Sequence, residues 1–136
     1  MSIASFGFTK LIVGDLEKSA AFYKSVCGVV EQARVDDVLN GRPISEILFD
    51  PPAPGGPTFV LFTFHDMPKP SASEVILGFM TPDLDAFVDR ARAAGGTVVE
   101  ELGSRPELGV KVAVVKDIEG HLIEVVQMLQ MKRFIP

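Results

Sequence analysis

The chain has one cysteine, no tryptophan, one tyrosine and two histidines in 136 residues. A lone cysteine excludes an internal disulfide, and without a CxxC partner it excludes a zinc knuckle. Cys27 ends a helical pattern just before Gly28 with nothing nearby to depress its pKa, so it reads as a small apolar packing residue. Basic clusters are missing too. The 13 lysines and arginines are scattered among 18 acidic residues, and a net charge of −5 without a basic stripe argues against nucleic-acid phosphates as partners. No apolar run approaches the ~18–20 residues of a membrane span, so no membrane partner is expected. MSIASFGFTK has no basic stretch leading into an apolar one, so a secretory signal is not expected and the expected location is cytoplasmic. What is present is an apolar content of 47%, too high for disorder, in a length that suits a single domain, 1–136.

A segment occurs twice. Residues 15–31, DLEKSAAFYKSVCGVVE, align without a gap to residues 83–99, DLDAFVDRARAAGGTVV, at a constant offset of 68. Asp15 matches Asp83, Leu16 matches Leu84, Gly28 matches Gly96 and Val30 matches Val98. Each copy follows an apolar run. A repeat of half the chain implies two copies of one supersecondary unit, neither large enough to close a core alone.

Phe6 to Val13 alternates as a strand, and Asp15 is a good N-cap for a helix carrying Leu16, Ala20, Tyr23 and Cys27 at helical spacing. Gly28 supplies the left-handed residue after the helix. VVEQARVDDV, ISEILFD after an Asn40-Gly41 turn, and TFVLFTF (58–64) predict three further strands. DPPAPGGP (50–57) can be the interior of neither element, and is either a lid or merely a long connection. The first module thus spans 5–64, HDMPKPSAS (65–73) connects, and the second module spans 74–128 with the order repeated. There EVILGFM precedes a helix from Asp83 to Ala94, and TVVEEL, GVKVAVVK and HLIEVVQ follow, with Gly120 in a DIEG hairpin. The tail, 129–136, has no clear period.

Two βαβββ modules in tandem, with DLxxSxxFY opening the first helix and D-I-E-G-H-L-I-E near the end, resemble the vicinal oxygen chelate superfamily, which includes glyoxalase I, fosfomycin- and bleomycin-resistance proteins and extradiol dioxygenases. The resemblance covers about residues 5–128 and implies an α+β fold, an eight-stranded half-open barrel with its helices packed outside. It implies a homodimer as well. Enzymes of the family hold a divalent metal with one side chain from the first and one from the last strand of each module. Carried onto this chain, those positions are Phe8, seven residues before Asp15; Ile76, seven before Asp83; Leu61; and Glu124. Phenylalanine, isoleucine and leucine cannot ligate a metal, and neighbours one residue away do no better. One carboxylate does not hold a divalent ion tightly, so no metal and no cofactor are expected. His121 reads as a turn-flanking surface histidine and His65 as a solvated loop residue, with an atypical metal site built on either left open.

By side-chain parity, the expected ligand-binding cavity is lined by Phe8, Lys10, Phe59, Leu61, Thr63, Ile76, Gly78, Leu122 and Glu124. Lys10 and Glu124 are its charges and the candidate catalytic or anchoring pair, in contact directly or through a bridging group, or else a structural ion pair. Arg34 is a candidate anion-binding group at the rim. Three functions follow. The first is metal-free binding of a small apolar or amphipathic molecule, as in bleomycin-resistance proteins. The second is a glyoxalase-class, lactoylglutathione-lyase-like activity on an oxygenated small molecule or thiol conjugate; dioxygenase chemistry, which needs iron on two histidines and a carboxylate, fits less well. The third is a module whose cavity its own side chains fill.

Overall fold

The computed structural model describes residues 3–67, 70, 74–105, 107 and 109–129. Its elements run β1 (Phe8–Ile12), α1 (Leu16–Cys27), β2 (Glu31–Leu39), β3 (Arg42–Phe49), β4 (Thr58–Phe64), β5 (Ile76–Met80), α2 (Leu84–Ala93), β6 (Thr97–Arg105), β7 (Val110–Lys116) and β8 (Leu122–Met128). The order is βαβββ twice, as the repeat implies. The chain divides into two compact units, 1–24 with 28–70, and 25–27 with 71–136. Residues 130–136 of the predicted tail, and part of the predicted connector, lie outside the described residues.

In the first unit the strands lie in the order β1-β4-β3-β2, and in the second β5-β8-β7-β6. Each sheet is mixed: its first strand runs parallel to its last, and the remaining pairs are antiparallel. The two parallel ladders are superposable in number. Phe8 pairs with Thr58 and Ile76 with Leu122, while Val13 N–H donates to the Phe62 carbonyl and Thr81 N–H to the Val126 carbonyl. The offset of 68 therefore holds in three dimensions for β1 and β5, while the last strands, β4 and β8, correspond at an offset of 64.

Local chemistry explains the boundaries. Asp15 caps α1 by accepting from Lys18 N–H, and Asp83 caps α2 by accepting from Ala86 N–H, each satisfying a donor that the first helical turn leaves free. Helix α1 ends on Gly28 at φ 71°, as predicted. In the second copy the left-handed residue is Gly95, φ 94°, rather than Gly96, the sequence counterpart of Gly28. Asn40 and Gly41, φ 52° and 76°, make the β2–β3 turn with both central residues left-handed, the conformation a two-residue hairpin requires.

Each sheet buries one face under its helix. In the first unit Tyr23 of α1 packs its ring 5.1 Å from Phe59, which stacks 5.8 Å from Phe49; Leu11, Val13, Ile47 and Leu61 on that face are buried. In the second, Phe79 packs against Phe87 of α2, with Ala113, Val115, Ile123 and Val125 buried. Cys27 is half-buried, and burial pushes its thiol up to about 12. At pH 8 its alkylation by iodoacetamide is expected to run at least ~100-fold slower than that of free cysteine, because the thiolate is the reacting form.

His121 departs from expectation. It is buried at 3% exposure, not a surface residue, because Asp117 organises the whole turn before β8. Asp117 Oδ1 accepts from the backbone N–H of Glu119 and of His121, both at 2.9 Å, while Oδ2 meets His121 Nδ1 at 2.8 Å. Gly120, φ 95°, lets the chain close around that carboxylate. Asp117→Ala strands several buried donors and is expected to cost about 2–4 kcal/mol in urea unfolding; a loss under ~0.5 kcal/mol would contradict this account.

Candidate ligand-binding face

Side chains alternate across a sheet, so the registers decide which residues share the face turned away from each helix. In the first unit Phe8, Lys10 and Ile12 pair with Thr58, Val60 and Phe62, and Phe62 in turn pairs with Glu46. These residues share the helix-free face. Phe59, Leu61 and Thr63 do not: they pair in the other phase, and Phe59 and Leu61 belong to the core beneath α1. The cavity lining expected from sequence is corrected at these three positions. The reason is that TFVLFTF is apolar nearly throughout and carries no period-2 signal to set its phase. In the second unit Ile76 pairs with Leu122 and Gly78 with Glu124, so these four share one face.

Internal equivalence then identifies the residue matching Glu124. Lys10 is equivalent to Gly78, and their partners on the last strands are Val60 and Glu124. The metal-ligand position on the last strand of the first module is therefore Val60 instead of Leu61. Phe8, Val60, Ile76 and Glu124 offer one carboxylate and three hydrocarbon side chains, which do not fit a divalent metal. Among the described residues no group of three or more His, Cys, Asp and Glu side chains is placed to hold a metal ion.

The charged centre of the first module's helix-free face is Lys10 with Glu46. Lys10 Nζ lies 2.9 Å from Glu46 Oε1, and its ammonium sits over two rings, 5.1 Å from the Phe62 centroid and 5.5 Å from that of Phe8. β4 separates their strands, so the lysine stem crosses about 10 Å of sheet above Phe62 to reach the carboxylate. The direct ion pair of Lys10 is thus with Glu46, a β3 residue that the parity argument omitted, and not with Glu124. The missed signal was available: an isolated Glu within the apolar strand ISEILF. Glu46 Oε1 is buried and meets no donor at hydrogen-bonding angles, so its stabilisation is the ionic contact alone. Glu124 is exposed, with no hydrogen bond or ion pair among the described residues, and a Cβ at neighbouring Gly78 would meet only open space.

The other sequence candidates are engaged elsewhere. Arg34 is held by Glu17 and Glu31 and is not a free anion site. Those contacts hold the Glu31 carboxyl below its ordinary range. His65 is exposed and lies 2.6 Å from Ser45 Oγ, whose own proton goes to Asp36 Oδ1 at 2.5 Å. Asp66 accepts from Arg42, which lies 3.9 Å over the Phe64 ring and depresses the Asp66 carboxyl.

Phe8 and Ile76 are 58% and 65% exposed, so these two do not fill an interior. By contrast, Val60 and Phe62 are buried, giving the first module's face an apolar floor beneath an accessible ammonium. Lys10→Met removes the cation that meets the buried Glu46 Oε1 and is expected to cost about 1–2 kcal/mol, a figure reduced by the solvent that reaches Lys10. Lys10→Met combined with Glu46→Leu is expected to recover most of it in a denaturation cycle, as replacing both ends of a buried pair usually does.

Residues 5–125 match the family model of the Glyoxalase/Bleomycin resistance protein/Dioxygenase superfamily. A "probable lactoylglutathione lyase" of Vibrio cholerae serotype O1 is 29% identical over 122 residues, covering 88% of this chain and 87% of the relative. Among solved structures, a glyoxalase family protein from Bacillus cereus superposes with a TM-score of 0.82 at 17% identity, over 96% of this chain and 97% of that one. A glyoxalase/bleomycin resistance protein from Albidiferax ferrireducens T118 reaches 0.66 at 27% identity, over 90% and 97%.

Proposed function

The chain belongs to the Glyoxalase/Bleomycin resistance protein/Dioxygenase superfamily, and from that premise we propose that it binds a small apolar or amphipathic molecule on its helix-free faces without the metal that family enzymes use. The observation that carries this reading is the donor set: Phe8, Val60 and Ile76 stand where ligands would be needed, and Glu124 alone retains a carboxylate. Taken module by module, the accessible apolar residues Phe8 and Ile12 beside Lys10 in the first, and Ile76 and Met80 beside Glu124 in the second, give each helix-free face the mostly hydrophobic character with few polar groups that small-molecule sites have. In this reading the protein acts as a homodimer, and Phe59, Leu61 and Thr63 serve stability instead of contact.

A second reading is favoured by the relatives named probable lactoylglutathione lyase, at 28–29% identity: a lyase acting on an oxygenated small molecule or thiol conjugate. Within it Glu124, the exposed carboxylate, is the residue able to exchange a proton with substrate.

Elemental mass spectrometry of the protein, before and after incubation with Ni, Co, Zn, Mn and Fe(II), separates the two when combined with an assay of lactoylglutathione turnover. Background metal and no turnover under every loading are expected. One tightly held ion per chain, with turnover that Glu124→Gln abolishes, would replace the binding reading with the lyase.

A further inference from the structure

We infer that the ligand held at the first module's helix-free face is an uncharged molecule with an aromatic or apolar body and an oxygen acceptor, such as a ketone or amide carbonyl, received by the Lys10 ammonium. This deepens the binding reading above and rests on it.

The argument is one of charge. Lys10 is the accessible polar group at the centre of the face, its side chain 37% exposed between Phe8 and Phe62, and it has more N–H donors than its contact with Glu46 uses. A lone ammonium over an apolar floor would select carboxylates. Here, however, Glu46 already cancels that charge from 2.9 Å, with its Oε1 buried where no ligand reaches it. A bound carboxylate would leave a net negative charge on a partly desolvated surface, and its attraction to Lys10 would be offset by Glu46. The second cation of the same face, Arg42, is balanced in the same way by Asp66. Asp37, which pairs with Ile44 and so shares the face, adds a further negative charge. A cationic ligand fares no better, since the exposed head group at the centre is itself an ammonium. What the face accepts is a neutral oxygen on Lys10 with an apolar body against Phe8 and Ile12, whose side chains remain open to solvent. Glu46 is then a specificity residue that acts through Lys10 without touching the ligand.

The test uses three probes of one shape: 2-acetonaphthone, 2-naphthoate and naphthalene, titrated into the intact protein and followed by amide and methyl NMR shifts. Expected is tightest binding by the ketone, with naphthoate weaker by at least about fivefold and shifts centred on Phe8, Lys10 and Ile12. Glu46→Gln removes the cancelling charge and is expected to turn the order round, strengthening naphthoate by about tenfold. Lys10→Met is expected to bring the ketone down to the level of naphthalene. Naphthoate binding as tightly as the ketone in the unaltered protein overturns the inference while leaving the binding reading intact. So does a Glu46→Gln variant with an unchanged ratio. Shifts from none of the three probes at this face overturn both. Because the ranking in the unaltered protein is itself decisive, a variant that fails to fold does not spoil the test.

Discussion

The parallel register of β1 against β4 is the constraint on which the first module's chemistry depends. Phe8 opposite Thr58 puts Lys10 beside Val60 and Ile12 beside Phe62. The antiparallel register of β3 then sets Glu46 beside Phe62, two strands from β1. Only in this phase does the lysine stem run over the Phe62 ring to a carboxylate. A slip of one residue would carry Phe59 and Leu61 onto the helix-free face and strip the core beneath α1, where Phe59 packs against Tyr23. The core holds the register, and the register holds the ion pair.

The second module obeys the same constraint with different side chains. Ile76 opposite Leu122 and Gly78 opposite Glu124 reproduce the ladder, while Asp83 and Asp15 start the two helices in the same way. The turn into β8 is reinforced by Asp117, which gathers two backbone donors and the His121 ring in a buried cluster. That cluster sets the start of β8, and Glu124 lies three residues beyond it. His121 therefore supports the candidate face from within the fold and is not a ligand on its surface.

Much of this was legible in the sequence, and the failures have a common cause. Asp15, Asp83, Gly28, Asn40-Gly41 and Gly120 announce helix starts, a helix end and turns because each meets a local backbone need that few residues can meet. Those signals, together with the 15–31 segment repeated at an offset of 68, suffice for two βαβββ modules. The phase of β4 is not a local property: in TFVLFTF almost every position is apolar, so either face would serve, and the choice is made by partners on β1 and β3. The pairing of Glu46 with Lys10 is illegible for the same reason, since it depends on two registers at once. The burial of His121 likewise depends on a carboxylate four residues earlier whose orientation no periodicity reports.

Comparing the modules position by position shows where this chain is specialised. On the helix faces the equivalent residues are apolar in both copies: Leu11 with Phe79, Leu61 with Val125, Phe59 with Ile123 and Ile47 with Ala113. A core demands hydrocarbon whatever else the protein does. On the helix-free faces every charge near the centre stands opposite an uncharged counterpart: Lys10 with Gly78, Glu46 with Val112 and Glu124 with Val60. A four-ligand metal site would require donors on both modules at the Phe8, Ile76, Val60 and Glu124 positions, and three of those are hydrocarbon. The first module instead carries a cation and an anion that neutralise one another at positions a metal would not use. Packing constrains one face of each sheet and leaves the other to chemistry, and in the first module that chemistry is a balanced ammonium–carboxylate pair over aromatic rings.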